Sequence, residues 1–206
     1  MDKGPLKRRL EQDNTEIVPG FHNFSVLCYL NSVLQLLFSL DNSLETLTEI
    51  DTDAEVLGEF VRLAKEYKSS LNHHTVLRSE NFAKVLIKSS GFLTEGQNDV
   101  SEAFLVLLDS DNMDKSYQQQ FTGKHKNIVM CMHCDHLSKR LEDFTSIMLH
   151  VPPDLSKTPT IGNLITNFTS QEVLLPGEEY DCDKCGKKSR AIKKLGMIFL
   201  KYRFLF

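Results

Sequence analysis

The stretch that decides the fold is NFSVLCYLNSVLQLLFSL, residues 23–40, in which small polar residues and one cysteine, Cys28, precede an apolar run. From Leu30 onward apolar residues recur at steps of three and four, which predicts a helix with one buried face. Cys28 would lie on its first turn, where unpaired N–H groups and the helix dipole favour an anion, so its thiol is suited to act as a nucleophile. The alternative is that Cys28 is a small buried apolar side chain, the commonest state of a free cysteine.

The composition is that of a globular protein, and a polar or basic protein partner fits it better than nucleic acid does. The 206 residues are 41% hydrophobic, enough to bury a core, and the net charge of −4 gives no basic field for nucleic acid. The apolar run after Val26 is too short to cross a membrane, and no export signal is recognisable. We therefore expect no nucleic-acid partner, no membrane partner and a cytoplasmic or nuclear location. The basic cluster 7–9 is either a nuclear address or a solvated tail.

The first half of the chain has the apolar spacing of helices. Beyond the cysteine helix, the predicted helices are 54–70, 79–91 and 98–110. Ser79 is the expected N-cap of the second of these and Gly91 its end, while Asn98 or Asp99 begins the third, with Val100 among its inward residues.

The second half has the β-branched, aromatic and alternating character of strands. The predicted strand segments are 128–134, 144–152, 172–182 and 191–206. Helices followed by strands indicate the α+β class. The predicted organisation is a flexible arm over 1–18 and a folded region over 19–206, helical to about 118 and strand-rich from about 119.

Four of the five cysteines form two C-x-x-C pairs, and each pair can point two sulfurs at one tetrahedral ion. The four are Cys131, Cys134, Cys182 and Cys185. They predict one structural zinc ion, because four thiolates leave no open catalytic position; the alternative is two independent thiol pairs, including redox pairs. A strand within 144–151 would bring the second pair back to the first. His133 and His136 lie near enough to compete as ligands, but we expect both to be exposed.

Once four cysteines are assigned to metal, Cys28 is left unpaired, and the motifs of the whole sequence stand in a known order. They are GFHNFSVLCYLNSVLQ (20–35), GQNDVSEAFL (96–105), the two C-x-x-C pairs and FLKYRF (199–204). This order resembles the ubiquitin-specific protease family, papain-like cysteine peptidases that remove ubiquitin. The matching residues of the first box are Gly20, Asn23, Cys28, Tyr29, Asn31, Ser32, Leu34 and Gln35. LFSL and FLKYRF are most similar to the subgroup of peptidases twenty-six, twenty-nine and thirty-seven.

The resemblance implies a papain-like fold of thumb, fingers and palm, and it implies a role for each box. Cys28 would be the nucleophile that attacks the carbonyl of ubiquitin's terminal glycine, and Asn23 would supply an oxyanion-hole amide. Gln97 and Asp99 would contact the ubiquitin tail. The four zinc cysteines would stabilise the fingers, so ubiquitin and ubiquitinated proteins are the implied partners. Taken without the family, Asn23 is a turn residue and Asp99 a helix cap.

The sequence departs from the family pattern before the cysteine and in a missing motif. The family usually has a glycine three residues before the cysteine and a threonine one residue before it. Here these positions are Ser25, which we expect to strain the backbone, and Leu27. No histidine lies in the Gly-His-Tyr context that carries the family's catalytic base. The seven histidines are His22, His73, His74, His125, His133, His136 and His150.

Two functions follow from this comparison. The first is a cysteine-type deubiquitinase represented by a fragment that lacks the catalytic His and its Asp or Asn orienter, so we expect no turnover from these 206 residues alone. The second is a truncated, inactive relative that binds ubiquitin or a partner and holds a structural zinc ion.

Overall fold

The computed structural model describes residues 17–91, 96–110, 113–153 and 158–198. The expected arm over 1–18, the basic cluster 7–9 and the strand beyond residue 198 lie largely or wholly outside these ranges. The chain divides into two compact units, Met1–Gln118 and Gln119–Phe206. Their identification with a thumb and with fingers stays a prediction.

The first unit is helical, with one short parallel strand pair. Its helices are α1 Cys28–Phe38, α2 Asp41–Glu49, α3 Glu55–Ser69, α4 Glu80–Ser90, α5 Val100–Leu108 and the first residues of α6 Lys115–Gln119. The strands β1 Gly20–Phe21 and β2 Val76–Leu77 pair in parallel. The predicted apolar faces of α1 and α3 are buried, which confirms those two helices.

The core of this unit contains stacked aromatic rings from several elements. Phe38, Phe60 and Phe82 form a stacked row, with ring centroids 5.6 Å and 5.5 Å apart. Tyr67 packs on Phe38, and Tyr117 meets Phe60 edge-on. Because these rings come from α1, α3, α4 and α6, the cluster ties Cys28's helix rigidly to the rest of the unit.

One expectation for the first unit is wrong, and one helix was not predicted. Ser79 is the N-cap of α4, as expected, although its side chain makes no cap hydrogen bond. Val100 is 43% exposed, because it is the first residue of α5 and lies outside that helix's buried face of Ala103 and Leu107. Helix α2 was not predicted, since it buries only a few side chains. Gly91 does end α4, in the left-handed conformation with φ 65°.

The second unit is built on an antiparallel sheet in the order β4-β3-β8-β5. The strands are β3 Gly123–Cys131, β4 Leu137–Phe144, β5 Glu172–Leu174 and β8 Ala191–Ile198. A separate hairpin pairs β6 Tyr180–Cys182 with β7 Lys187–Ser189. Helix α7 covers Ile161–Phe168. The mixture of helix and sheet is consistent with the α+β class.

The predicted strand over 144–152 is wrong. The chain leaves β4 at Phe144, and residues 145–152 form neither helix nor strand. The strand that follows β3 in the sequence is β4, which lies earlier than predicted, over a charged segment that carries no alternating pattern. Helix α7 was also not predicted. None of the helices described is both long and apolar enough to cross a bilayer.

Candidate active site and metal centre

Cys28 is the first residue of α1, and its side chain is exposed. The interpretation of Cys28 as a buried apolar residue is therefore wrong. Its sulfur borders an open groove of about 730 Å³ on the first unit. The groove is lined by Phe21, Asn23, Cys28, Asn31, Ser32, Gln35, Leu36 and Ser39. The structure thus brings the predicted nucleophile and Asn23 to one accessible surface.

The segment that carries Asn23 is held at its start by β1. The backbone N–H of Gly20 donates to Thr75 O at 3.0 Å, and that of His22 donates to Leu77 O at 2.8 Å. Phe21 between them packs on two core rings, Phe38 and Tyr67. Asn23 itself is exposed, so a rigid strand delivers a polar side chain to the groove.

Two polar residues of α1 hold the same segment from the other side. Gln35 Nε2 donates to Pro19 O at 2.8 Å, and Asn31 Nδ2 donates to His22 O at 3.2 Å. Gln35 Oε1 in turn accepts from the hydroxyl of Tyr67 at 3.3 Å. The side chains of the first box therefore bind the backbone of the segment before Cys28, which fixes that segment against the helix.

Ser25 has a φ of 61°, in the left-handed region that glycine occupies without cost. This confirms the expectation of backbone strain at this position. For a residue with a Cβ atom the conformation costs about 1–2 kcal/mol. The turn between Asn23 and Cys28 therefore holds a serine in a conformation that glycine would adopt without this cost.

The second box begins α5, which packs against α1 within the first unit. Asp99 is the N-cap of α5, and its Oδ1 accepts from the backbone N–H groups of Ser101 at 2.7 Å and Glu102 at 3.1 Å. Gln97 is exposed. Burial raises the pKa of Tyr29, next to Cys28, and the Asn98 side chain partly opposes that shift. The two boxes therefore meet at Tyr29 and Asn98, while ubiquitin contact by Gln97 and Asp99 stays a prediction.

The described lining of the groove includes no histidine. His22, the histidine nearest to Cys28 in the sequence, places Nδ1 3.5 Å from Glu80 Oε1. In the second unit His125 bonds Glu142 at 2.9 Å and His133 contacts Lys187. Each of these three histidines therefore has a side-chain partner other than the thiol of Cys28.

The second unit brings all four predicted metal ligands together. The sulfurs of Cys131, Cys134, Cys182 and Cys185 lie within 4.8 Å of one another, and all four cysteines are free. The Cys134 and Cys182 sulfurs are 3.7 Å apart. Four thiolates at about 2.3 Å from a tetrahedral zinc ion would lie about 3.8 Å apart, so the donor set fits zinc.

Register and turn geometry explain how two distant pairs converge. Strands β3 and β8 pair so that Cys131 lies opposite Ala191, directly after the β6–β7 hairpin. In each pair the residue after the second cysteine donates its N–H to the carbonyl of the first cysteine: Asp135 to Cys131 at 2.9 Å, Gly186 to Cys182 at 2.8 Å. Asp135 and Gly186 both have positive φ, 56° and 64°. The two turns are therefore equivalent structures made from different residues.

Hydrogen bonds and burial shift the pKa values of two of these cysteines in opposite directions. A hydrogen bond with Ser189 lowers the pKa of Cys131 to about 6. A backbone hydrogen bond with His136 lowers the pKa of Cys134. Burial and the three other cysteines outweigh this effect and raise that pKa to about 12. Binding of zinc would require all four cysteines as thiolates and would release the protons that they carry. Of the nearby histidines, His133 is exposed as expected, whereas His136 is half-buried, so that expectation was wrong.

Each unit has one serine whose part in its site was not recognised from the sequence. Ser79 is fully buried and donates to Asn31 Oδ1 at 2.7 Å, across 48 positions of sequence. Ser189 sits beside Cys131 through the β6–β7 hairpin. Neither has a local sequence signal, because each acquires its partner only when the chain folds.

Comparison with known proteins gives a consistent result. The family model for ubiquitin carboxyl-terminal hydrolases matches residues 19–200. Ubiquitin carboxyl-terminal hydrolase 47 of Drosophila melanogaster is 30% identical over 190 residues, which are 85% of this chain and 12% of that protein. Hydrolase 48 of Gallus gallus is 26% identical over 88% of this chain and 19% of its own length. Hydrolase 24 of Homo sapiens is 24% identical over 85% of this chain and 7% of its own length.

The chain spans less than a fifth of the length of these relatives. None of the three is a member of the subgroup suggested by LFSL and FLKYRF, and that finer assignment stays a prediction. The family match covers both the groove of the first unit and the cysteine cluster of the second. The chain therefore belongs to the ubiquitin carboxyl-terminal hydrolase family, the ubiquitin-specific proteases.

Proposed function

We propose that this chain carries the nucleophile-bearing part of a cysteine-type deubiquitinase, which hydrolyses the bond after ubiquitin's C-terminal glycine. The observation that carries the proposal is the exposed thiol of Cys28 on the first turn of a buried helix, in one groove with Asn23. A rigid, accessible thiol beside an amide donor is what acyl transfer requires.

The residues have distinct roles in this reaction. The sulfur of Cys28 attacks the glycine carbonyl, and the carbonyl oxygen gains negative charge as the tetrahedral intermediate forms. Asn23 donates to that oxygen, a contribution typically worth about 3 kcal/mol. The thiol proton needs a general base, which in the family is a histidine; we assign that role to none of the seven histidines of this sequence.

The second unit supplies a structural zinc site under this proposal. Cys131, Cys134, Cys182 and Cys185 hold one ion, whose role is to join the end of β3 to the β6–β7 hairpin. The hairpin is only three residues long on each side, too short to be stable without such a link. We assign this unit to the family's fingers.

Ubiquitin and ubiquitinated proteins are the proposed partners, with Gln97 and Asp99 beside the ubiquitin tail. Both residues are exposed at the start of α5, so both are accessible to a partner. The proposed location is the cytoplasm, the nucleus or both. Activity, substrates and partners of the full natural protein are part of this proposal, because the chain spans less than a fifth of its relatives.

The test is turnover of a ubiquitin-amide substrate and labelling by a ubiquitin probe with a C-terminal electrophile, measured on the full natural protein. Cys28→Ala should abolish both. Lys65→Ala, at an exposed position of α3 outside the groove, is the matched control and should change neither. Turnover that survives Cys28→Ala would refute the proposal, and tight ubiquitin binding without turnover or labelling would support the inactive binding module instead.

A further inference from the structure

We infer that Ser79 is a positioning residue for the oxyanion donor, acting through Asn31 on the peptide bond that joins His22 to Asn23. The inference rests on the proposed function for its effect on catalysis. Its structural part concerns the first unit alone and is testable without turnover.

The side chain of Ser79 does not make the helix-capping hydrogen bond that its position predicts. It stands at the N-cap of α4, where a serine hydroxyl normally accepts from the helix's first free N–H groups. Here its hydroxyl donates instead to Asn31 Oδ1 at 2.7 Å, and Ser79 is 0% exposed. A helix end left without its side-chain cap costs about 1 kcal/mol, so the hydroxyl makes this bond in place of a favourable local one.

Hydrogen bonds hold the Asn31 amide at both ends. The Ser79 hydroxyl donates to Oδ1 at 2.7 Å, and on the other side Nδ2 donates to His22 O at 3.2 Å. Asn31 is 9% exposed, so water has little access to either end of the amide. Without the Ser79 hydroxyl, the buried Oδ1 loses its partner, and the amide is held at its Nδ2 end alone.

The His22 carbonyl belongs to the same planar peptide unit as the N–H of Asn23. The oxygen of that unit accepts from Asn31 Nδ2 and from the N–H of Phe24, both at 3.2 Å, while His22 N donates to Leu77 O. Asn31 is thus the side-chain donor among the contacts that hold this backbone from both sides of His22. The chain continues from this plane to the Asn23 side chain and to the strained turn at Ser25. Two hydrogen bonds, from Ser79 to Asn31 and from Asn31 to His22 O, therefore connect a buried hydroxyl to the backbone beside the groove.

The burial of Ser79 distinguishes a positioning role from a direct contact with ubiquitin. A residue with no exposed surface cannot touch ubiquitin, so loss of its hydroxyl should lower kcat and leave KM unchanged. We expect Ser79→Ala to lower kcat about tenfold in the full natural protein. Removing an oxyanion donor itself typically costs about 10²-fold or more, and Asn23→Ala should show that larger loss.

The matched control is Ser43→Ala. Ser43 is also a buried serine of the first unit, 1% exposed, with one hydrogen bond at 2.8 Å to the hydroxyl of Tyr117. Its removal costs a buried hydrogen bond of the same kind but touches neither Asn31 nor the segment before Cys28. Ser43→Ala should lower the melting temperature as Ser79→Ala does, with kcat and KM both within twofold of the unchanged protein.

The second readout is the backbone amide resonance of ¹⁵N-labelled Asn23, measured in the 206-residue chain. Ser79→Ala should shift it and Ser43→Ala should not. Asn31→Asp provides a second variant if Ser79→Ala fails to fold: its carboxylate still accepts from Ser79 but cannot donate to His22 O, so the Asn23 resonance should shift. Equal kcat for Ser79→Ala and Ser43→Ala, or an Asn23 resonance that neither Ser79→Ala nor Asn31→Asp moves, would overturn the inference. A natural protein without turnover would count against the proposed function, and the Asn23 resonance would still decide the positioning.

Discussion

Asp99 caps α5, and a pair of substitutions can separate this role from its proposed contact with the ubiquitin tail. Its Oδ1 accepts from the N–H groups of Ser101 at 2.7 Å and Glu102 at 3.1 Å, and this caps α5. Asn is as good an N-cap as Asp, whereas Ala provides no acceptor. Asp99→Asn therefore keeps the cap and removes the charge proposed to meet the ubiquitin tail, while Asp99→Ala removes both.

The expected loss of stability follows from the energy of the Asp99 cap. Loss of an N-cap costs about 1 kcal/mol, and α5 contributes Ala103, Leu107 and Leu108 to the buried core, so its fraying loosens the first unit. For the unit Met1–Gln118, 1 kcal/mol corresponds to a fall in melting temperature of about 4 °C. Asp99→Ala should show that fall, and Asp99→Asn should stay within about 2 °C of the unchanged protein.

The assay compares melting temperature with binding of ubiquitin for the two variants. If the carboxylate meets the tail, both variants should lose affinity by a similar factor although only Asp99→Ala loses stability. Thr160→Ala removes the corresponding cap of α7 in the second unit and serves as the control for cap loss as such. An Asp99→Asn variant with unchanged ubiquitin affinity would refute the tail contact and leave Asp99 as a helix cap alone.

Three further outcomes are expected. Ser25→Gly should leave stability within about 1 kcal/mol, because relief at φ 61° offsets the added freedom of the unfolded chain, whereas Ser25→Val should destabilise by more than that in denaturant titration. Metal analysis should find one zinc ion; Cys182→Ser should lose it and unfold mainly the second unit by amide exchange, while zinc retained by Cys182→Ser would contradict the assigned shell. Burial raises the pKa of Tyr117 above its usual 10.0, with the Ser43 hydrogen bond acting the other way, so this residue's contribution to stability is complete below pH 10 and falls as pH rises further. Tyr117→Phe should remove that part of the alkaline slope in unfolding measured from pH 8 to 12, and an unchanged slope would show that other groups produce it.

The sequence predicted the elements that bury one face. Helices α1 and α3 carry apolar residues at helical spacing, and the structure buries those residues. Strand β4, LSKRLEDF, escaped prediction because most of its residues are exposed, so no buried face imposes an alternating pattern. Helix α7 had a readable start, since Thr160 and Asn163 form a reciprocal cap, but it follows the Thr-x-x-Asn spacing rather than the better-known Thr-x-x-Glu.

The site was predictable where chemistry demands particular residue types at close spacing. Two C-x-x-C pairs led to four sulfurs that the structure gathers. What could not be predicted was the partner of a polar residue once that partner lies far along the chain. Ser79 obeys the local rule for an N-cap in position, yet its hydroxyl bonds Asn31 instead, because folding brings a buried amide within 2.7 Å.

The polar residues of the first box explain why its register matters as much as its cysteine. Cys28, Asn31 and Gln35 follow one another at steps of three and four, so they lie on one side of α1. On that side Asn31 and Gln35 bind the carbonyls of His22 and Pro19, and the opposite side buries Leu30 and its apolar neighbours. The rotation of α1 about its axis is thus set by hydrogen bonds on one side and by packing on the other. A shift of one residue would turn the sulfur by about 100° around the helix axis, away from the groove that holds Asn23.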